Sequence, residues 1–238
     1  MKTQQKDFDI KYHHIEAPTF EDKELSKKFG KRLLINPVAR PNAKKIYREP
    51  ELEYLAKNPW TYKRKLNGEN MRVLWDGDQA IWNGRTNNFT PNHETTEYMN
   101  STFAEEIFEE KFGRDKQVLL FGERMAPGAQ GNELGLEKTE FVLFDVKIAN
   151  VWLEPESICA IAEYFKLRTC YDFMRSIDKA RNYTESLEKL IELCSVGDFS
   201  DWEGIVAIPS TGVFNRKGER IICKIKNQDY LASSEEAR

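Results

Sequence analysis

A predicted β-hairpin near Gly77 limits the folds open to this chain more than any other feature. The turn Asp76-Gly77-Asp78 stands between two strand-like runs, residues 71–75 and 79–82. An Asp-Gly turn between such runs is typical of an antiparallel hairpin, because glycine accepts the backbone angles that the turn needs. Further strand-like runs follow at residues 118–122, 139–148, 204–208 and 221–225. The sequence therefore predicts an α+β fold, rich in antiparallel sheet, with helices inserted between strands.

Helices are predicted where apolar residues recur at helical spacing among charged ones. Residues 94–112, 156–167 and 183–194 have this spacing, and a short basic helix is predicted at residues 23–31. Before Trp60 the chain carries several prolines, which enforce extended or turning backbone. We therefore predict that residues 1–59 are an extension packed on the main body, residues 60–238.

Composition bears mainly on where the protein acts. The longest apolar runs, such as residues 118–121, are too short to span a bilayer, and the N-terminus has no apolar core of a secretory signal. The four cysteines are widely spaced and form no Cys-x-x-Cys pair, which is typical of reduced thiols. We expect a cytoplasmic protein (or, for a viral one, the host cytoplasm) with no membrane partner.

The charge distribution points to phosphates. Residues 23–65 hold thirteen Lys or Arg and four Asp or Glu, a net charge of +9, although the whole chain carries −3. Such a basic block is an electrostatic footprint for nucleic acid, and a solvated lysine-rich segment is the alternative.

Within this block Lys65 is the candidate nucleophile. Lys65, Asn67 and Gly68 form a Lys-x-Asn-Gly turn between an aromatic approach and a strand-like run. A lysine amine can act as a nucleophile where its surroundings hold down its pKa, and neighbouring cations favour the neutral form. The plain alternative is a solvated lysine beside a hairpin.

Other charged residues stand at or inside the predicted strands. They are Arg85, Glu123, Asp145, Glu203, Lys224 and Lys226. Lys224 and Lys226 alternate along one strand and so point to the same face, which could also be the solvated face of an edge strand. Cations and carboxylates that converge on one groove would suit a nucleoside triphosphate with a divalent metal.

These residues resemble the motif series of the covalent nucleotidyltransferase superfamily, which includes ATP-dependent ligases and mRNA capping enzymes. The segment Lys65-Leu-Asn-Gly-Glu-Asn70 resembles motif I, in which the lysine becomes the AMP-bearing residue. Its Gly-x-Asn ending, Gly68 to Asn70, is similar to the ending of this motif in RNA ligases that seal nicks in double-stranded RNA. Asn67 stands where the superfamily usually has aspartate.

The remaining motifs follow in the superfamily's order. The matching segments are Gly84-Arg85-Thr86, Phe121-Gly122-Glu123, Phe141 to Asp145, Glu203-Gly204-Ile205-Val206 and Lys224-Ile225-Lys226. The resemblance implies that Glu123 contacts the ribose, that Phe144 stacks on adenine, and that Lys224 and Lys226 face the phosphates. It also implies a nucleotide-binding role for Gly68, Asn70 and Arg85, with Arg85, Lys224 and Lys226 joining Lys65 in catalysis.

The resemblance further implies a fold, an activity and cofactors. The fold would be a two-sheet ligase adenylation domain, ATP-grasp-like, over residues 60–238, without the C-terminal OB or helical domain of most relatives. The activity would be ATP-dependent RNA ligation through a lysyl-AMP intermediate, with Mg²⁺ or Mn²⁺ held by Glu203 and Asp145. The partner would be nicked or broken RNA, and a separate protein could replace the missing domain. The alternatives are a DNA ligase, a capping-type guanylyltransferase and a non-catalytic RNA-binding module.

Overall fold

A computed structural model describes residues 10–86, 88–127, 134–172 and 184–230. Residues 1–9 of the predicted extension, Tyr183 of a predicted helix and residues 231–238 of the predicted main body lie outside the described residues. The helices are α1 (Lys23–Phe29), α2 (Pro50–Leu55), α3 (His93–Thr102), α4 (Glu105–Phe112), α5 (Pro155–Tyr164) and α6 (Leu187–Val196), followed by a 3₁₀ turn, Asn227–Asp229.

The strands form two sheets that are antiparallel apart from one short pairing. They are β1 (Pro59–Lys65), β2 (Glu69–Trp75), β3 (Ala80–Gly84), β4 (Val118–Met125), β5 (Glu140–Ile148), β6 (Val151–Trp152), β7 (Arg168–Thr169), β8 (Thr184–Ser186), β9 (Gly204–Pro209) and β10 (Cys223–Lys226). One sheet has the order β3-β2-β4-β5-β6, with β7 parallel to β5, and the other has the order β10-β9-β1-β8. The predicted α+β fold, rich in antiparallel sheet, is confirmed.

The chain divides into two compact units. The described part of the first unit comprises residues 10–13 and 67–172, and that of the second comprises residues 14–66 and 184–230. The division at residue 59 into an extension and a main body stays a prediction.

The first unit contains the predicted hairpin. Strands β2 and β3 pair from Met71 opposite Gly84 to Trp75 opposite Ala80. Asp76 Oδ1 accepts hydrogen bonds from the backbone nitrogens of Asp78 and Gln79, at 2.9 and 2.8 Å. An aspartate that binds the backbone two residues on is a recurring stabiliser of tight turns. The hairpin signal in the sequence thus corresponds to a real turn with a local cause.

The predicted helix over residues 94–112 is instead two helices, α3 and α4. Phe103 and Ala104 leave the helical region between them, with ψ angles of 46° and 144°. The Phe103 ring is 3% exposed and packs edge-on against Phe141 of β5, with ring centroids 5.1 Å apart. Burial of this aromatic ring outweighs the cost of breaking the helix.

The second unit buries its sheet against α6 and the segment before β1. Leu34, Tyr47 and Leu52 from that segment share one apolar core with Trp60 of β1 and Leu190 of α6. The predicted helix over residues 183–194 begins later, at Leu187, because Ser186 caps it by accepting from the Lys189 nitrogen at 3.2 Å. None of the helices in the described ranges is long and apolar enough to cross a bilayer.

Candidate functional site

Lys65 lies at the end of β1, opposite a glycine of the neighbouring strand. In the β1–β9 ladder Lys65 faces Gly204, and in the β9–β10 ladder the same Gly204 faces Lys226. The two lysines therefore flank one residue of the central strand, although they are far apart in sequence. Strand register, rather than any local motif, brings them together.

Gly204 is required at this position by its backbone and its surroundings. Its φ of +152° is rarely adopted by residues with a side chain, and a Cβ there would lie 2.1 Å from the Ile225 carbonyl oxygen. The glycine lets β9 and β10 approach closely just beyond Glu203. The side chains of Lys65, Glu203 and Lys226 can then meet.

The Glu203 carboxylate pairs with both lysines. Lys65 Nζ donates to Glu203 Oε2, and Lys226 Nζ lies 2.6 Å from Glu203 Oε1. Only 17% of the Glu203 side chain is exposed. Burial alone would raise the pKa of the Glu203 carboxyl, but the hydrogen bonds from Lys226 and Lys65 outweigh it, so this pKa lies below its ordinary value. Glu203 is thus held ionised between two cations.

Replacing Glu203 by glutamine should lower the free energy of unfolding at pH 7 by about 1–3 kcal/mol, because it removes charge-assisted hydrogen bonds. Since the folded pKa is depressed, the carboxylate's contribution is present above its ordinary pKa of 4.5 and is lost as pH falls through the lower folded value. The difference in the free energy of unfolding between wild type and Glu203→Gln should therefore be smaller in acid. Denaturant unfolding of both proteins without divalent metal, at neutral pH and near pH 3, measures this difference.

A matched control for this comparison is Glu53→Gln, since Glu53 is exposed on α2. It should change the free energy of unfolding by less than about 0.5 kcal/mol at either pH. A wild-type advantage over Glu203→Gln that stays constant across the pH range would contradict the assigned ion pairs.

Lys224 lies two residues before Lys226 on β10, and both are half-buried on a strand whose alternate residues are buried. The predicted shared face of the two lysines is therefore present. Lys65 and Lys226 contact Glu203, and Lys224 and Lys226 both act electrostatically on the half-buried Asp229 carboxyl. The lysines outnumber these two carboxyls, and the excess of positive charge suits phosphate oxygens.

In the first unit, Gly68, Asn70 and Glu123 meet where β2 begins. Asn70 faces Glu123 in the β2–β4 ladder, and the Gly68 nitrogen donates to Glu123 Oε1 at 3.1 Å. A Cβ on Gly68 would lie 2.5 Å from the Arg124 carbonyl oxygen, so only glycine fits. Asn70 Oδ1 is buried and has no hydrogen-bond partner among the described residues. An orphaned acceptor of this kind calls for an outside donor.

Arg85 lies at the same end of the first unit's sheet as Asn70 and Glu123. It follows Gly84, which faces Met71 across the β2–β3 ladder, and Arg85 itself is exposed. Arg85, Asn70 and Glu123 thus lie near one end of three neighbouring strands. The sequence predicted these residue types but not their alignment.

Phe144 and Asp145 lie in β5 at an irregularity of the β4–β5 ladder. Phe121 pairs with Asp145 and the next residue, Gly122, pairs with Leu143, so the register shifts by one residue at Phe144. Such a β-bulge re-aims side chains. Asp145 is 1% exposed, and its Oδ2 accepts a hydrogen bond from the Tyr12 hydroxyl at 2.6 Å. Sequence reasoning missed Tyr12, although apolar alternation of Phe8, Ile10 and Tyr12 signals an extended segment.

Taken separately, the residues of each unit fit one part of a nucleotide with a divalent ion. The lysine cluster supplies cations for phosphate, and Asn70 and Gly68 supply an unused acceptor and a close backbone approach. Among the described residues no three His, Cys, Asp or Glu side chains group as a metal site. Mg²⁺ is commonly held by one or two carboxylates and substrate phosphates, a pattern that a single carboxylate such as Glu203 could serve.

Comparison with known proteins gives a family and a fold. The sequence model of the RNA ligase family matches residues 58–226. The structure is similar to Naegleria gruberi RNA ligase with PPi, with a TM-score of 0.55 and 18% identity over 79% of this chain and 55% of that one. A mutant of that ligase with ATP and Mn gives a TM-score of 0.55 and 17% identity over 79% of this chain and 54% of that one.

A further mutant of the Naegleria ligase, with AMP and Mn, has a TM-score of 0.53 and 17% identity over 79% of this chain and 55% of that one. This chain spans just over half the length of these solved proteins. No curated protein matches the sequence significantly. At such identities the structural likeness shows the fold alone, which this chain shares with the Naegleria RNA ligase.

Proposed function

This chain belongs to the RNA ligase family, and we propose that it is an ATP-dependent RNA ligase that carries AMP on Lys65. The observation that carries the proposal is the pairing of Lys65 and Lys226 with the two carboxylate oxygens of Glu203. A candidate nucleophile, a second cation and a candidate metal ligand are in direct contact. A solvated lysine beside a hairpin would have no such surroundings.

The chemistry begins with the release of Lys65 from Glu203. An ammonium that donates to a carboxylate has no free lone pair, so Lys65 must lose a proton to solvent water before it attacks. The amine then forms a P–N bond with the α-phosphorus of ATP as the P–O bond to pyrophosphate breaks. An oxygen of the RNA 5′-phosphate then attacks the phosphorus of lysyl-AMP, and the P–N bond breaks as Lys65 takes up a proton and is regenerated. The RNA 3′-hydroxyl finally attacks the activated 5′-phosphorus, loses its proton to solvent and expels AMP as the phosphodiester bond forms.

The other residues take supporting roles in this proposal. Lys224, Lys226 and Arg85 neutralise charge on the phosphates as it develops in the transition state. A bound Mg²⁺ or Mn²⁺ would withdraw further charge from those oxygens. Glu203 is the preferred ligand of that ion, because Asp145 is almost fully buried and already accepts from Tyr12.

The nucleotide itself is assigned to first-unit residues. Glu123 would accept from the ribose, Phe144 would stack on adenine, and Asn70 Oδ1 would accept from a nucleotide donor. Gly68 would let the nucleotide approach the backbone closely. The basic residues of 23–63, which include Arg40, Lys44, Lys45 and Arg48, would contact the RNA backbone. A separate protein that supplies a further domain stays a prediction.

The test is covalent labelling of the full chain with ATP labelled at the α-phosphate, in the presence of Mg²⁺ or Mn²⁺. We expect label on the protein that survives denaturation and that is released as AMP in acid, as a P–N bond requires. Labelling by GTP in place of ATP would indicate a capping-type enzyme. Sealing of nicked RNA, DNA and hybrid duplexes then identifies the nucleic acid, and absence of any adduct would overturn the proposal.

A further inference from the structure

Residues 10–13, here called the N-terminal strap, belong to the first unit, although the residues that follow them belong to the second. Arg72 of β2 is fully buried and holds the strap by donating from Nη1 to the Ile10 carbonyl oxygen at 2.6 Å. Arg72 Nε also donates to the Gly84 carbonyl oxygen at 2.8 Å, next to Arg85. A buried guanidinium with two such bonds is a strong anchor.

Tyr12 of the strap contacts both residues of the β5 bulge that the proposed function uses. Its hydroxyl donates to Asp145 Oδ2 at 2.6 Å, and its ring meets the Phe144 ring edge-on at 5.2 Å. The same ring lies 5.0 Å from Phe121 on the neighbouring strand and stacks on His13 at 4.4 Å. Tyr12 therefore joins the bulge to the strand beside it.

The bulge is the point where the β4–β5 register shifts. Phe121 pairs with Asp145 and Gly122 with Leu143, so Phe144 lies within the shift, where a bulge directs side chains. Asp145 is a carboxylate that is 1% exposed, and such a group is costly to bury unless donors reach it. The Tyr12 hydroxyl is a donor at a charge-assisted distance. Tyr12 thus contacts both side chains of the bulge at once.

We infer that Tyr12 is a positioning residue of the ligase reaction, which sets the affinity for the adenine nucleotide by fixing Phe144 and Asp145. The inference rests on the proposed function, in which Phe144 stacks on the base. Tyr12 itself takes no part in bond making, so its loss should weaken nucleotide binding more than it slows the transfer to Lys65. The strap then belongs to the nucleotide-binding machinery, separated in sequence from every motif of the superfamily.

Single-turnover adenylylation across a range of ATP concentrations tests the inference with Tyr12→Phe. This variant keeps the ring against Phe144 and loses only the hydroxyl. We expect the ATP concentration at half-maximal rate to rise about tenfold, the effect of losing one hydrogen bond to a charged group, with the maximal rate within about twofold of wild type. Tyr12→Ala, which also removes the ring, should raise it further. Tyr54→Phe is the matched control, because Tyr54 is 83% exposed, and it should behave as wild type.

A double variant separates positioning from general stability. Tyr12→Phe made in an Asp145→Asn background should have little further effect, because the hydroxyl then has no carboxylate to hold. An equal effect in both backgrounds, or a wild-type ATP dependence in Tyr12→Phe, would overturn the inference while leaving the proposed function intact. Circular dichroism measures the fraction of folded protein in each variant. If Tyr12→Phe lowers only that fraction and the folded protein has a wild-type ATP dependence, the inference is also overturned. A wild-type chain without an adduct would instead refute the proposed function and the inference with it.

Discussion

Replacing Lys65 by arginine is expected to abolish covalent labelling by ATP, by at least about a thousandfold, while the fold stays intact. An arginine can keep the ion pair with Glu203 that Lys65 makes at the end of β1. A guanidinium is not deprotonated in proteins, so it has no lone pair with which to attack phosphorus. The variant thus keeps the positive charge at this position and removes the nucleophilic amine. Gel detection of the labelled protein measures the loss of labelling.

Two comparisons make the Lys65→Arg result specific. Lys57→Arg changes an exposed lysine of the same segment and should label as wild type. Lys226→Arg keeps a cation beside Glu203 and is expected to retain measurable labelling, since Lys226 is assigned to the phosphates and not to the bond. Wild-type labelling of Lys65→Arg would place the adduct on another residue.

Replacing Gly204 by alanine is expected to lower the free energy of unfolding by about 3 kcal/mol or more, among the larger effects of single substitutions. The added Cβ would lie 2.1 Å from the Ile225 carbonyl oxygen, in a backbone with φ of +152°. Since Ile225 lies on β10 beside Lys226, relief of the clash must separate β9 from β10. Labelling by ATP should fall in the fraction that remains folded. Denaturant unfolding and labelling of the same preparation measure both effects.

Gly218→Ala is the matched control for Gly204→Ala. Gly218 has a φ of +77°, but a Cβ there would meet nothing within 4 Å. It should cost only the strain of a positive φ, about 1 kcal/mol. Equal losses in the two variants would mean that strand contact at Gly204 matters less than its backbone angle.

Local signals in the sequence predicted local structure well. Asp76 and Gly77 marked the β2–β3 turn because the side chain of one and the conformational freedom of the other act within four residues. The prediction of one helix over residues 94–112 was wrong at Phe103, because the Phe103 ring is buried against Phe141, which is distant in sequence. Ser186 is both the last residue of β8 and the N-cap of α6. Hydrophobic periodicity alone does not locate this boundary between strand and helix.

The candidate site was predicted as a set of residue types and not as contacts. Alternation along β10 correctly put Lys224 and Lys226 on one face. That Glu203 would contact both Lys65 and Lys226 depends on the register of three strands, which no short motif specifies. The Tyr12–Asp145 bond was missed for a similar reason, since its partners are 133 residues apart. The roles assigned to individual residues stay predictions until the variants are measured.

The path of the chain through the two units has a consequence for how the protein folds. Residues 67–172 of the first unit are inserted between the two stretches of the second, and Lys65 and Glu203 are 138 residues apart. During synthesis β1 must wait for β9, because its ladder partner is made only after the inserted unit has emerged. Pairings of such high contact order form slowly. We therefore expect the insert to fold early and the lysine that would carry AMP to gain its surroundings last.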